Sequence, residues 1–461
     1  MTAHAPAAAP GRWRALTVLA TAQFMLILDV TVVAVALPEI AATLALGREA
    51  VTWVVSVYTL LFGGLMLVGG RAADLFGARR LALTGLAVFT AASAVAGLAG
   101  SAAVLIAARA GQGIGAALLS PAALSLVMTT FQGAERGRAL AVWSGLGGAG
   151  AAVGVLLGGA LTAVAGWPWI FFINVPVGLV LLAALPSAVP ASPRRERRHL
   201  DVPGALLATA ATAALIHGLT TVGDAGAAGW VAIAAAVVLY AGFAAVERAV
   251  RAPLVDLRIL TRRSVLAGAF LIAVATGVLV AGFFLASFSL QHADGRSALV
   301  TGLLFLPVAA ATLLGTRAAR HALPRLGPRG VAPIGLAVAA AGTGVAAFGA
   351  GTATLVIGLS VGALGLGATF VSAFTAATAH VTPEDAGVTS GIVNTFHEFG
   401  AGLGVAAVSG VAAAGLTAAN PAPSAFTAGF GLLAVAAAVA AAVATVLVPA
   451  GRAAAAVGHG H

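Results

Sequence analysis

The chain has 461 residues, 61% of them hydrophobic and only 8% charged, with a mean hydropathy of +1.06. Soluble domains carry about 25% charged residues, so this composition excludes a water-soluble globule and points to an integral membrane protein. The formal charge of +10 does not indicate nucleic acid, because the 24 basic residues, all Arg, are spread over short segments. The absence of Cys excludes disulfides, thiol nucleophiles and thiolate metal sites.

Apolar runs of about 20 residues suit membrane-spanning helices, and the alternating pattern of a barrel is absent. The chain is therefore expected to be an all-α bundle of fourteen spans at 14–37, 50–70, 80–99, 101–128, 138–163, 167–189, 202–222, 229–247, 264–289, 297–316, 331–349, 351–379, 387–415 and 425–449. The first run is too long for a signal-peptide core and lacks a cleavage site, so it is read as a retained helix. With an even number of spans both termini fall on one side. Placing 21 of the Arg residues inside, with only Arg48 and Arg296 outside and Arg109 within a span, satisfies the positive-inside rule. Residues 1–13 and 450–461 are then cytoplasmic tails of a multi-pass protein of the cytoplasmic membrane.

In the first span Asp29 lies eight residues before the outer end, or about 12 Å deep at 1.5 Å per residue. Between the second and third spans the chain must leave the hydrocarbon, because Gly69 to Arg80 carries one Asp and three Arg. The spacing Gly70-x3-Asp74-x2-Gly77-x-Arg79-Arg80 resembles the loop signature of the major facilitator superfamily. The resemblance implies that Asp74 with Arg79 or Arg80 forms a conformational latch and that Gly70 and Gly77 permit the turn.

Arg109, with Gln112 and Gly113 following, resembles the fourth-helix motif of that family, and its depth of about 12 Å matches that of Asp29. A lone Arg at that depth needs a partner. The two can form a static pair, which is weak evidence for stability, or line a solute or proton path, as intramembrane ionisable groups usually do. In the fifth span Gly150, Gly154, Gly158 and Gly159 form a stripe that allows close helix packing. It resembles a motif of proton-coupled exporters, although Val155 stands where that motif has Pro.

The stretch Gly166-Trp167-Pro168-Trp169-Ile170-Phe171-Phe172-Ile173-Asn174-Val175-Pro176-Val177-Gly178 is similar to the sixth-helix start of the fourteen-span drug/proton antiporter branch. Its Trp residues suit an interfacial belt, and Pro176 with Gly178 suits a bent helix. A basic connector at 190–201 separates the first six-helix half, 14–189, from two inserted helices and their following loop, 202–263. The segments His199 to Gly204 and Pro253 to Arg258 also resemble that branch.

The second half, 264–449, echoes the first: Gly327-Pro328-Arg329 stands where Gly77-Ala78-Arg79 stands in the first. In the thirteenth span Asn394, His397 and Glu398 share one helix face, with Glu398 about 16 Å from the inner end. His217 in the seventh span is read as a helix-contact residue, and His4, His459 and His461 as solvated tail residues.

The resemblance runs from Asp29 to about Gly404 and implies the major facilitator fold and proton-coupled efflux of small, lipophilic or cationic drugs. Asp29, Arg109 and Glu398 are the expected proton-coupling residues, with Asp29 the main one. The polar residues Gln23, Gln112, Asn394 and His397 are substrate-binding candidates. An acid in low dielectric takes a proton readily, and once ionised it attracts a cation, so proton and drug are natural competitors. The alternative is export of a neutral or anionic metabolite, with Arg109 contacting the acid. A membrane-embedded enzyme or sensor is disfavoured, because there is no metal-ligand cluster, no nucleophile with a base, no phosphate loop and no soluble output domain. The expected partners are a small-molecule substrate, protons and the lipid bilayer, with no nucleic acid; the expected state is a monomer needing no metal or cofactor beyond the proton gradient.

Overall fold

The computed structural model describes residues 12–131, 133–189, 201–222, 227–250, 257–379, 386–417, 421 and 423–449, and among them the regular elements are all helical. The first half comprises α1 (Arg12–Thr43), α2 (Arg48–Phe76), α3 (Ala78–Gly97), α4 (Ala102–Thr130), α5 (Gly133–Ala165), the short α6 (Trp169–Phe172) and α7 (Asn174–Ala188). Next come α8 (Val202–Thr221), α9 (Ala228–Ala249) and α10 (Leu257–Thr261). The second half comprises α11 (Arg263–Phe288), α12 (Ala298–Leu304), α13 (Leu306–Phe348), α14 (Gly351–Thr378), α15 (Ala386–Val411), α16 (Ala413–Thr417) and α17 (Thr427–Leu447). A π-helical turn, Ser289–Ala293, extends α11. Most of the 190–201 connector and both tails, with His4, His459 and His461, lie outside the described residues.

Among the described residues eleven helices are long and apolar enough to cross a membrane, against the fourteen runs expected. Part of the difference is the stretch Ala298–Phe348, 51 residues counted as one. The Arg-bearing segment 317–330, expected as a loop between two spans, is helical and is broken only at Gly327, whose φ is 65°. A left-handed Gly ends one helix and Pro328 starts the next, the usual asymmetry of helix termini. Arg and Ala on either side favour helix, so the helix outruns the apolar run. Within α5 the stretch Ala152–Ala165 counts as a shorter apolar helix, and α15, with Asn394, His397 and Glu398, is not among the eleven.

Gly77, between α2 and α3, has a φ of 92°. Thus the two turns that the sequence pairs as an internal echo use the same backbone device, because only Gly takes positive φ without steric cost. At this end of the bundle Arg329 donates to the Thr445 carbonyl at 3.1 Å, and Arg263 donates to the Leu447 carbonyl at 3.0 Å and to that of Val446. Cations on the last carbonyls of α17 complement its helix dipole.

The halves meet along a seam of small and hydroxyl residues. Thr52 on α2 donates to Ser409 on α15 at 2.7 Å, and Ser56 donates to the Gly402 carbonyl at 3.3 Å. Gln291 donates to the Val35 carbonyl at 2.8 Å, joining α11 to α1. α8 packs on both α2 and α15, with Thr209 set against Gly64 and Ile216 against Gly402, while α9 packs mainly on α8. His217 lies 3.0 Å from Glu49 of α2, a helix contact as expected.

Inside the first half, α2 and α4 touch through Gly69, where a Cβ would collide with the Ala117 carbonyl oxygen. At Gly70 a Cβ would meet only the Pro121 Cβ at 3.7 Å, an ordinary contact. Replacing Gly69 by Val should therefore cost about 1–3 kcal/mol of stability through overpacking against backbone, whereas Gly70→Ala should be neutral or slightly stabilising. Thermal unfolding of both variants in detergent checks this, and equal effects at the two positions would refute it.

Candidate functional site

The glycine stripe of α5 decides which way Asp29 faces. Gly150 lies against Ile27, Gly154 against Thr31 and Gly158 against Val32, so α1 and α5 run almost backbone to backbone. The Thr31 hydroxyl donates to the Leu28 carbonyl at 3.0 Å. With Ile27, Thr31 and Val32 turned to α5, Asp29 is directed into the interior of the first half, where it is 1% exposed. Gly159, the last of the stripe, instead faces Ala298 of α12 across the seam, and the Val155 carbonyl lies beside Gly302.

Arg109 reaches the same interior because α4 is pressed onto its neighbours. A Cβ on Gly113 would lie 2.7 Å from the Tyr58 carbonyl oxygen, and one on Gly115 2.6 Å from the Phe89 nitrogen. The third contributor comes from the break between α6 and α7 at Ile173. Pro176 has no N–H to offer the Phe172 carbonyl, which weakens the helix there. Gly97 makes room for the Phe172 ring and Gly178 for Thr90, laying this broken helix on α3 and leaving Asn174 opposite Asp29.

The result is a compact buried network. Arg109 Nη1 donates to Asp29 Oδ2 and, at 2.9 Å, to Gln112 Oε1; its Nε donates to the Val54 carbonyl at 3.0 Å. The guanidinium carbon lies 4.3 Å from the centre of the Tyr58 ring, a cation–π contact. Gln112 Nε2 donates to Asp29 Oδ1 at 2.9 Å and to Ser93 Oγ at 2.9 Å, and the Ser93 hydroxyl donates in turn to the Phe89 carbonyl at 2.7 Å. Asn174 Nδ2 donates to Asp29 Oδ1 at 3.0 Å. Both carboxylate oxygens thus receive N–H donors, and the guanidinium is engaged by carboxylate, amide, carbonyl and ring. The pairing that equal depth allows is therefore formed, inside one half.

Glu398 is not part of this network. It lies at the seam, where a Cβ on Gly63 of α2 would come 2.7 Å from the Glu398 Cβ. His397, one residue earlier, faces into the second half, with Nδ1 2.9 Å from Thr276 Oγ1 on α11. Asn394 donates to the Ser390 carbonyl of its own helix at 2.9 Å. The three residues expected on one face therefore engage three different surroundings. Tyr58 lies within electrostatic reach of Asp29, Arg109 and Glu398. Gln23 Oε1 is buried and has no hydrogen-bond partner among the described residues. No group of three metal-ligating side chains occurs among the described residues.

Asp74 is exposed on the last turn of α2, Arg80 is exposed and Arg79 half-buried on the first turn of α3. Gly77 makes the turn between them. Sequence reasoning missed Asn174, Ser93 and Tyr58 as partners. Asn174 stood within the quoted sixth-helix stretch, and a lone amide in an apolar helix is a signal that it needs a partner; Ser93 and Tyr58 gave none.

A family model described as Major Facilitator Superfamily matches residues 19–405. The chain is 36% identical over 87% of its length to the puromycin resistance protein pur8 of Streptomyces alboniger, covering 82% of that protein. It is 37% identical over 86% of its length to the lincomycin resistance protein of Streptomyces lincolnensis, covering 83% of it. A solved bacterial homologue of the human lysosomal transporter Spinster, in an inward-facing and unoccupied conformation, superposes with a TM-score of 0.67 at 18% identity, over 95% of this chain and 96% of that one. The helical bundle, its two halves and these matches lead to one conclusion: the chain belongs to the Major Facilitator Superfamily and is a multi-pass membrane transporter, not an enzyme.

Proposed function

We propose that this protein expels small, lipophilic or cationic drugs or antibiotics from the cytoplasm in exchange for protons, by alternating access between its two halves. The observation that carries the reading is the Asp29–Arg109 pair, each residue 1% exposed and hydrogen-bonded to further groups inside a membrane bundle. Such a pair is costly to bury and is best explained as part of a proton path. The resistance proteins similar to this chain are named for puromycin and lincomycin, which supports an antibiotic substrate class.

The fourteen-span architecture belongs to the same proposal. Dividing Ala298–Phe348 at Gly327 into two spans, and adding α5 and α15 to the remaining ten, gives fourteen. Both termini are then cytoplasmic, with the Arg48 and Arg296 end outside. In that orientation the Thr52–Ser409, Gln291–Val35 and Gly159–Ala298 contacts close the outer face of the seam. The transporter works as a monomer and needs no cofactor. Export of an anionic metabolite bound by Arg109 is the weaker alternative, because that guanidinium already donates to Asp29, Gln112 and Val54 and lies against the Tyr58 ring.

The deciding experiment loads proteoliposomes with ethidium or puromycin and imposes a pH gradient. Wild-type protein should drive uphill movement, and Asp29→Asn should reduce it to the level of empty vesicles while sparing downhill flow. Glu398→Gln should keep coupling to protons but weaken binding of the cation; exchanged phenotypes would make Glu398 the carrier, and wild-type coupling in Asp29→Asn would sink the proposal. For the latch, Asp74→Asn should slow turnover with substrate affinity unchanged, since the residue lies at the end of α2 far from the buried network. Loss of binding with normal turnover would refute that role. Topology is checked at the 190–201 connector, which should be cut by protease only from the cytoplasmic side.

A further inference from the structure

We propose that Asn174 is the positioning residue that lets Asp29 exist both with and without its proton, by rotating its carboxamide from donor to acceptor. The inference rests on the reading of Asp29 as the proton carrier and goes beyond it. It follows from hydrogen-bond bookkeeping around the carboxylate.

Asp29 Oδ2 faces a guanidinium N–H, and Oδ1 faces two amide N–H groups, from Gln112 at 2.9 Å and Asn174 at 3.0 Å. That set suits an ionised carboxylate, which only accepts. A proton added to Asp29 needs an acceptor, and none of these three contacts supplies one. A buried O–H without an acceptor is costly, so a neighbour must change its role.

Arg109 cannot do so, since a guanidinium has donors only. Gln112 is held at both ends of its amide: Nε2 donates to Asp29 and to Ser93, and Oε1 accepts from Arg109 at 2.9 Å. Turning it over breaks all three bonds and leaves Arg109 facing an NH2 group. Asn174 is different. Among the described residues, the bond from Nδ2 to Asp29 is the only one its side chain makes. A half-turn of the amide places Oδ1 where Nδ2 was, and breaks no other bond.

The cycle then balances. A proton arriving from water binds Asp29 Oδ1; the Asn174 amide turns, and the new O–H donates to Asn174 Oδ1 while Oδ1 of Asp29 still accepts from Gln112. On release, the proton returns to water on the other side and the amide turns back.

The test is infrared difference spectroscopy of the purified full-length protein in lipid as pH is lowered, following the C=O stretch of a protonated carboxyl group. Asp29→Asn assigns the band by removing it. In wild type the band should lie in the hydrogen-bonded range, below that of a free buried acid. In Asn174→Leu, which keeps the branched shape but neither donates nor accepts, it should move up from the wild-type position, while staying below that of a free acid because Arg109 and Gln112 still donate to the carboxyl group. A wild-type band already at the free-acid position, or an unmoved band in Asn174→Leu, would overturn the inference and leave Asp29 as the carrier. A band that survives in Asp29→Asn would instead overturn the parent reading and this inference with it. If Asn174→Leu does not fold, Asn174→Ala, which also removes the amide, reads the same shift.

Discussion

An ionised carboxylate and a guanidinium inside a hydrocarbon-embedded bundle are tolerable only when each is completed by the other and by neighbouring dipoles. Much of the first half can be understood as meeting that condition for Asp29 and Arg109. The α5 glycines bring α1 in at a fixed rotation, the small residues of α4 let α2 and α3 close around the guanidinium, and the broken α6–α7 helix supplies an amide. Removing one member leaves a buried charge without its partner, which costs more than the pair gains. The packing of small residues and the electrostatics are therefore one constraint.

The second acid is built on a different principle. Glu398 lies at the seam between halves, set against the bare backbone of α2 at Gly63, while Asp29 lies within one half. A group inside a half keeps its neighbours when the halves rock; a group at the seam changes them. Tyr58 lies with its ring against Arg109 and has both acids within electrostatic reach. The same seam carries hydroxyl contacts such as Thr52–Ser409 beside an apolar cluster of Leu60, Ile216 and Ala406. α8 touches both sides of it, through α2 and α15.

Membrane class, the turn at Gly77 and its echo at Gly327, and the matched depths of Asp29 and Arg109 could all be read from the sequence. Each depends on one-dimensional quantities: where charge forces the chain into water, where only Gly allows the backbone to turn, and the constant rise of a helix. The superfamily was legible for the same reason, since its motifs sit at those turns and in short stretches of single helices. Tertiary structure alone decided which neighbours complete the pair. Asn174, Ser93 and Tyr58 lie on three other helices, and their approach depends on helix rotation, which apolar surroundings on every side do not encode. It also decided that Gly69, not the motif's Gly70, is the position pressed onto α4, and that His397 and Glu398, adjacent in sequence, serve opposite sides of the seam. A helix buried on all faces has no polar side to orient it, so only the packing of its partners fixes where each residue points.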